Sequence, residues 1–187
     1  IDGKIVIRAP HHPAPADPAT IDVVVTPKMS FGSGHHHTTR MMCRLIHASA
    51  PARRALDVGC GTGVLSFVAL KSGVGYVDAI DIDPWSSESA ARAAELNGVA
   101  DRIKIITGTV EAIEGETYDA IYANINRNIL LADMHHYVAR MNAGASIFMS
   151  GFYDEDVPKL VAHAETLCLT LVDVRSQDGW ACIKMQK

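Results

Sequence analysis

One stretch decides the fold of this chain: Ala55-Leu-Asp-Val-Gly-Cys-Gly-Thr-Gly-Val64, a short apolar strand that runs into three glycines spaced two apart. The apolar residues from Val64 to Leu70 predict a helix, and a second apolar strand starts at Tyr76 and ends on Asp81. Glycines at a strand-to-helix turn let backbone N–H groups approach a ligand, and the helix N-terminus behind them favours negative charge. A carboxylate about 20 residues beyond the loop is placed to accept hydrogen bonds from ribose hydroxyls. We therefore expect a ligand with an anionic end and a ribose.

The spacing of the glycines narrows the class of ligand. A dinucleotide fold carries G-x-G-x-x-G, but Val64 occupies the position of its third glycine. No G-K-[ST] follows, which excludes a nucleotide triphosphate loop. The pattern Asp57-Val-Gly-Cys-Gly-Thr-Gly63 resembles the first motif of the Rossmann-like methyltransferases, which use S-adenosyl-L-methionine. This resemblance implies that the loop cradles the methionine end of the cofactor and that Asp81 holds the ribose.

Composition sets broad limits on what the chain is. It has 187 residues, of which 48% are hydrophobic and 20% charged, as expected for one globular domain. The net charge of −4 argues against a nucleic-acid binder. No apolar run reaches the roughly 20 residues of a membrane helix, and no signal peptide is visible. The four cysteines form no C-x-x-C pair, so we expect free thiols in a cytoplasmic protein.

From Ala55 onward, predicted strands and helices alternate, which indicates a mostly parallel sheet covered on both faces. Strands are predicted at Ala55–Val58, Tyr76–Ile80, Ile103–Thr107, Ala120–Ala123, Ser146–Ser150, Leu167–Val174 and Trp180–Met185. Helices are predicted at Val64–Lys71, Ser86–Asn97, Ile129–Met141 and Asp156–Glu165. The last two strands have no helix between them and predict an antiparallel hairpin. The fold class is therefore α/β, and its layout resembles the Rossmann-like, seven-stranded class I S-adenosylmethionine-dependent methyltransferase fold.

The first fifty residues are expected to be peripheral to this sheet. Ile5 to Ile7 and Ile21 to Val25 predict a strand pair around a proline-rich loop, and a helix is expected to start at Thr38 or Thr39. We expect one catalytic domain over 1–187, with the strand pair and a covering loop and helix in 1–50 and the core in 51–187. Because the chain starts Ile1-Asp2-Gly3 without a methionine, directly before a strand, it is expected to be a piece of a longer polypeptide.

Asn124 is the candidate catalytic residue. It follows the predicted fourth strand of the sheet, and in open α/β sheets ligands bind beyond the carboxyl ends of the strands, so it is expected to face the crevice of Gly59 and Asp81. Its amide offers a donor and an acceptor that could orient a nucleophilic amine. The alternative is that Asn124 caps the next helix, and spacing alone leaves the two interpretations equal.

A second glycine-rich segment, Met29-Ser-Phe-Gly-Ser-Gly-His-His-His-Thr-Thr-Arg40, precedes the first core strand. It opens a predicted helix and could fold over the cofactor as a lid. Three successive histidines point to opposite sides of an extended chain and rarely bind one ion, so no metal site is expected.

These segments together resemble the PrmA family across essentially the whole chain. The resemblance is carried by Phe31 to Arg40, Asp57 to Gly63, Asp81-Ile-Asp-Pro84, Asn97-Gly98, Asn124-Ile125 and Asp178-Gly-Trp-Ala-Cys182. Enzymes of that family methylate amino groups, on lysine side chains and the N-terminus, of a large-subunit ribosomal protein, the eleventh in the usual naming. The resemblance implies these cofactor-binding residues: Thr39, Asp57, Gly59, Gly61, Gly63, Asp81, Ile82 and Asn124.

Two departures from the family pattern matter. The family has Asn-Ile-Leu where this chain has Asn124-Ile125-Asn126, followed by Arg127, so the acceptor pocket is expected to differ in detail. The family also carries an N-terminal substrate-recognition domain that this sequence does not include, so we expect the isolated chain to bind cofactor but to methylate protein poorly.

Other functions on this fold remain as alternatives. An RNA methyltransferase would usually carry Asn-Pro-Pro with an aromatic residue where this chain has Asn124-Ile-Asn-Arg127, and it would favour a basic groove. A small-molecule methyltransferase is equally open, and a non-catalytic cofactor-binding domain is disfavoured by the intact glycine loop and ribose acid. We expect a ribosomal protein as the partner, with no direct contact to nucleic acid or membrane, and the oligomeric state is not predicted.

Overall fold

The computed structural model describes residues 1–26, 36–113 and 115–187, in which strands and helices alternate. The strands are β1 (Ile5–Arg8), β2 (Ile21–Val24), β3 (Arg54–Val58), β4 (Tyr76–Asp81), β5 (Ile103–Thr107), β6 (Tyr118–Asn124), β7 (Met141–Tyr153), β8 (Thr170–Gln177) and β9 (Trp180–Gln186). The helices are α1 (His37–Ala48), α2 (Val64–Lys71), α3 (Pro84–Leu96), α4 (Arg127–Ala139) and α5 (Val157–Thr166), with short 3-10 turns at Ala100–Arg102, Val110–Ala112 and Asp154–Asp156.

Seven strands form one sheet in the order β5-β4-β3-β6-β7-β9-β8. The first five strands of this order are parallel, and β9 runs antiparallel to both β7 and β8. The predicted fold class, a mostly parallel seven-stranded sheet with a C-terminal antiparallel hairpin, is confirmed. The chain leaves β3 toward β4 on one side and later returns to β6 on the other, so a crevice opens beyond the carboxyl end of β3.

Helices cover both faces of the sheet and create two separate hydrophobic cores. Helices α1, α2 and α3 pack on one face together with β1 and β2, whereas α4 and α5 pack on the other. Alternate residues of each strand enter opposite cores, as the period of two of a β-strand requires. In β3, for example, Ala55 belongs to the first core and Leu56 to the second. Asp57 therefore faces the side of α2, which determines its role in the site.

The predicted peripheral strand pair is present as a small parallel sheet of β1 and β2. Arg8 Nε and Nη2 donate to the two carboxylate oxygens of Asp22, at 2.7 Å each, across this pair. Asn97, just after α3, joins the pair to the core because Val24 N–H donates to its Oδ1 (2.9 Å) and its Nδ2 donates to the Val24 carbonyl (2.7 Å). One buried side chain thus pairs with the edge of β2 as a neighbouring strand would.

The segment boundaries required several corrections. Helix α3 starts at Pro84 and not at Ser86, because Asp83 caps it. The last turn of α5 reaches Thr166 and Cys168 has a φ of 63°, so β8 starts at Thr170 and not at Leu167. The sequence predicts Met141 as the end of the helix that corresponds to α4, but this residue begins β7. None of the helices in the described part of the chain is long and apolar enough to cross a membrane.

Candidate active site

The glycine loop lies at the switch point between β3 and α2. Gly59, Gly61 and Gly63 all have positive φ, at 66°, 55° and 83°. Gly59 and Cys60 donate their backbone N–H groups to the Ile80 carbonyl of β4, which fixes the start of the loop beside that strand. The last glycine, Gly63, precedes α2 and has no side chain to cap it. The first N–H groups of the helix therefore need other partners, and Asp57 beneath the loop is one of them.

Asp81 ends β4 and holds the loop in place. Its Oδ2 accepts from the Gly61 N–H at 2.8 Å and its Oδ1 accepts from the Asp83 N–H at 2.9 Å. A carboxylate has about four acceptor sites, so this one can still accept from ribose hydroxyls. Asp83, two residues further on, caps α3 by accepting from the Trp85 N–H at 3.0 Å and so serves as a helix N-terminal acid.

A cleft runs from the glycine loop past the ends of β4 and β5. Its walls include Gly59, Asp81, Ile82, Thr109 and Val110, with Ile129 of α4 opposite. Ile82 is 71% exposed, which is an open position for a large apolar residue. The segment Gly108 to Val110 was not among the predicted site residues. Its position at the carboxyl end of β5 is the signal that could have found it.

Asp57 lies underneath the loop and not on its surface. Only 1% of it is exposed, and its Oδ2 accepts from the Ser66 N–H (3.1 Å) and the Ser66 hydroxyl (2.6 Å) in the first turn of α2. Its Oδ1 is buried without a hydrogen-bond partner among the described residues. Burial raises the pKa of this carboxyl to about 6, opposed by the hydrogen bonds from Ser66. The site therefore contains a desolvated acid whose second oxygen faces no donor in the described part of the chain.

Asn124 ends β6 and faces α1. Its Nδ2 donates to Thr39 Oγ1 at 3.4 Å, so two of the predicted site residues are brought together from positions 85 residues apart. The alternative role of Asn124 as a helix cap is wrong: Asn126 caps α4, and its Oδ1 accepts from the N–H groups of Asn128 and Ile129. Because the Asn124 amide nitrogen is directed at Thr39, its carbonyl oxygen is the group that can accept from an incoming amine.

Ile125 connects the glycine loop to the acceptor side of the site. An added Cβ at Gly59 would lie 2.3 Å from Ile125 Cγ2, and one at Gly151 of β7 would lie 2.3 Å from the Ile125 carbonyl oxygen. Both glycines have positive φ, at 66° and 95°. Only glycine permits this close approach on both sides. Ile125, the residue after Asn124, is thus clamped by its side chain against the loop and by its backbone against β7.

Three aromatic side chains that were not among the predicted site residues stack at the end of β7. The Trp180 ring is 4.3 Å from the Tyr153 ring and 4.6 Å from the His36 ring, centroid to centroid.

The glycine-rich segment predicted as a lid falls mainly on residues 27–35, which lie outside the described residues. Within 1–26, 36–113 and 115–187, no group of three or more His, Cys, Asp or Glu side chains could hold a metal ion, and all four cysteines are free thiols as expected.

Comparison with known proteins adds the family. A family model described as Ribosomal protein L11 methyltransferase (PrmA) matches residues 1–187. The chain belongs to the PrmA family. It is 42% identical over 186 residues to the ribosomal protein L11 methyltransferase of Porphyromonas gingivalis, with 98% of this chain and 63% of the relative covered. It is 40% identical to that of Bacteroides fragilis, with 98% and 66% covered, so the chain spans slightly less than two thirds of these relatives.

Solved structures support the fold assignment independently. A ribosomal protein L11 methylase from Lactobacillus delbrueckii subsp. bulgaricus superposes with a TM-score of 0.86 at 24% identity, over 97% of this chain and 93% of that one. A precorrin-6y C5,15-methyltransferase from Geobacter metallireducens superposes with a TM-score of 0.65 at 13% identity, over 88% and 94%. This PrmA-family chain therefore shares its fold with methyltransferases of different substrate classes.

Proposed function

We propose that this PrmA-family chain binds S-adenosyl-L-methionine and transfers its methyl group to amino groups of ribosomal protein L11. The observation that carries the proposal is the convergence of the glycine loop, Asp81 and Asn124 at one end of the sheet, in a chain whose relatives are named for this activity. Lysine side chains and the protein N-terminus are the proposed acceptors.

The charges of the cleft fit this cofactor. S-adenosylmethionine carries a positive sulfonium and a positive ammonium group beside its carboxylate. The described cleft walls include Asp81 and Asp133 and no lysine or arginine, and the unpartnered Asp57 Oδ1 lies beneath the loop. Such a lining favours a cation over a nucleotide triphosphate. In the proposed arrangement, Asp81 accepts from the ribose hydroxyls, Ile82 and Val110 flank the adenine, and the glycine loop surrounds the methionine end of the cofactor.

The residues of this chain would act mainly by positioning. The cofactor supplies an electrophilic methyl group on a positively charged sulfur. Asn124, held by Thr39 and by the backbone clamp around Ile125, accepts a hydrogen bond from the amine and directs its lone pair toward the methyl carbon. An acceptor lysine has an ordinary pKa of about 10.4, and desolvation together with nearby positive charge lowers it. The proposed mechanism therefore needs no dedicated general base.

Substrate recognition and cellular location belong to the same proposal. A ribosomal protein substrate supports a cytoplasmic location. We also propose that regions of the relatives beyond the matched part assist in recognising the ribosomal protein, with residues 1–50 as the periphery and 51–187 as the catalytic core of one domain. RNA and small-molecule substrates remain the competing proposals on this fold.

A labelling experiment tests the function. The 187-residue chain, and the full-length P. gingivalis relative as a positive control, are incubated with methyl-labelled S-adenosylmethionine and total large-subunit proteins, and the labelled band is identified by mass. We expect L11 to be labelled, more slowly by the 187-residue chain. Label in RNA or in small molecules but not in L11 would overturn the proposal. Cofactor binding measured by calorimetry without any transfer would indicate a non-catalytic domain.

A further inference from the structure

A partly exposed aromatic wall lies at the same end of the sheet as Asn124. It consists of Tyr153 at the end of β7 and Trp180 at the start of β9, whose ring centroids are 4.3 Å apart at an interplanar angle of 35°, and His36 packs edge-on against Trp180 at 77°. Tyr153 is 51% exposed, although it follows the fully buried Phe152. Trp180 is partly buried against the core under α1, α2 and α3, whereas Tyr153 and His36 are exposed. An exposed tyrosine held in a fixed stack on a partly buried tryptophan is typical of a binding surface.

The wall is on the same face of the sheet as Asn124. Asn124 pairs with Ser150 in the sheet, and Tyr153 pairs with Trp180 three residues further along β7. Ala123 and Phe152 belong to the core under α4 and α5, so Asn124 and Tyr153, the next residue in each case, project to the α1 side. Three residues along β7 span about 10 Å and neighbouring strands lie about 4.8 Å apart, so the backbone of Tyr153 lies about 11 Å from that of Asn124. The wall and Asn124 therefore share one face and one end of the sheet.

Carboxylates surround the wall. Asp154 and Glu155 follow Tyr153 directly and are exposed, and Asp154 N–H donates to the carbonyl of Gly179, which holds this acidic turn against the hairpin at Trp180. Asp178, also exposed, lies on that hairpin with its Oδ2 3.1 Å from His37 Nδ1. A fourth acid, Asp156, is buried and paired with Arg127, so it serves the turn itself.

The exposed acids beside the wall, Asp154, Glu155 and Asp178, are called the acidic rim. We propose that the aromatic wall and this rim form the acceptor-docking surface, which receives a lysine-bearing, cationic segment of the protein substrate. The inference rests on the proposed function, because it describes where the acceptor of that reaction lies. The methylene stem of lysine packs on ring faces while its charged end interacts with them as a cation, and the rim attracts the basic residues expected around a lysine of an RNA-binding protein. The wall thereby leads the amine toward Asn124.

The charge of the rim selects this occupant over RNA. An aromatic stack can also hold a nucleic-acid base, but base stacking is normally combined with a positively charged groove for the phosphates. Here Asp154, Glu155 and Asp178 would repel phosphates at short range. A cationic peptide is attracted by the same three groups.

Fluorescence of Trp180 provides a direct test. The chain contains two tryptophans, so Trp85→Phe leaves Trp180 as the only one. This variant is titrated with a basic peptide containing one central lysine and with a matched peptide that has norleucine in its place, with and without saturating S-adenosylhomocysteine. We expect the lysine peptide to change the Trp180 emission saturably and to bind at least about threefold more tightly than the norleucine peptide. Equal affinities would overturn the inference.

Variants separate the contributions of the rim and the wall. Asp154→Lys with Glu155→Lys should weaken peptide binding about tenfold at low salt, with a smaller effect at high salt. The matched control, Glu95→Lys with Asp101→Lys, places the same charge change on exposed residues at the end of α3 and just beyond it, and should leave the dissociation constant within about twofold. Tyr153→Leu should weaken binding about threefold and Tyr153→Phe should restore it.

Failure of this inference can be distinguished from failure of the proposed function. Equal effects of the two charge-reversal pairs, or an oligouridylate that displaces the peptide and binds more tightly, would overturn the docking surface even if S-adenosylhomocysteine binds in calorimetry. If the cofactor does not bind but the lysine peptide still binds through Tyr153 and the rim, the docking surface stands and the proposed methyl transfer is wrong.

Discussion

The buried carboxylate of Asp57 leads to a prediction with an unusual sign: its replacement by asparagine should stabilise the free protein at pH 8. The side chain is 1% exposed, and only one of its two oxygens has a partner among the described residues, the N–H and hydroxyl groups of Ser66. Asparagine has nearly the same shape and can keep the oxygen that accepts from Ser66. The substitution removes a negative charge that loses its hydration when the protein folds, and this loss of hydration costs free energy.

The size of the effect follows from the pKa of this group. Burial raises the pKa of Asp57 from 3.8 to about 6, which corresponds to on the order of 3 kcal/mol against the ionised form in the folded state. Because the folded state binds this proton more tightly than the unfolded state, the contribution of Asp57 to stability falls as the pH rises from about 4 to 6. The introduced asparagine side chain would bury an amide N–H group without a partner, at a cost of about 1–2 kcal/mol. We expect a net gain of about 1–2 kcal/mol at pH 8, or roughly 2–8 °C in Tm.

Urea unfolding of the wild type and Asp57→Asn between pH 4.5 and 8, without ligand, measures this difference. The gain should vanish toward pH 4.5, where the wild-type carboxyl is protonated. Asp156→Asn is the matched control of opposite sign, since Arg127 lowers the pKa of Asp156 and its carboxylate stabilises the fold at high pH. If Asp57→Asn is less stable than the wild type at pH 8 by more than about 1 kcal/mol, the carboxylate is not an uncompensated buried charge.

The remaining predictions concern the site itself. Asp81→Ala should abolish S-adenosylmethionine binding in calorimetry, because it removes the acceptor for the ribose and the partner of the Gly61 N–H; unchanged affinity would contradict the cofactor assignment. Asn124→Ala should lower kcat at least about tenfold while the cofactor Kd stays within a few-fold, since its proposed role is to orient the amine; a loss confined to cofactor binding would refute that role. Gly151→Ala should destabilise the protein by about 2 kcal/mol or more in urea, because the new Cβ would meet the Ile125 carbonyl at a residue with φ of 95°; a change below about 0.5 kcal/mol would show that the clamp yields freely.

Much of the fold was predictable because local patterns and tertiary packing favour the same structure. Apolar runs bounded by glycine and proline marked the strands of the large sheet, although the prediction began α3 at Ser86, two residues after its start at Pro84. The turn Asp178-Gly179, with φ of 52° and 79°, is the two-residue hairpin turn that favours Asp-Gly. The glycine loop and Asp81 were predictable for the same reason, since they lie within one strand–loop–helix–strand unit.

Features that join distant segments were decided only by tertiary structure. Local spacing could not separate the two roles open to Asn124, and the register of β6 against β7 together with the position of α1 places it beside Thr39. The alternation of β3 buries Asp57 beneath α2, and the hairpin brings Trp180 against Tyr153 and His36. The sequence by itself determined the elements, the fold class and the cofactor loop, because these depend on neighbours along the chain. The acceptor side needed the assembled sheet, since its Asn124–Thr39 contact joins residues 85 positions apart whose approach depends on strand order and register.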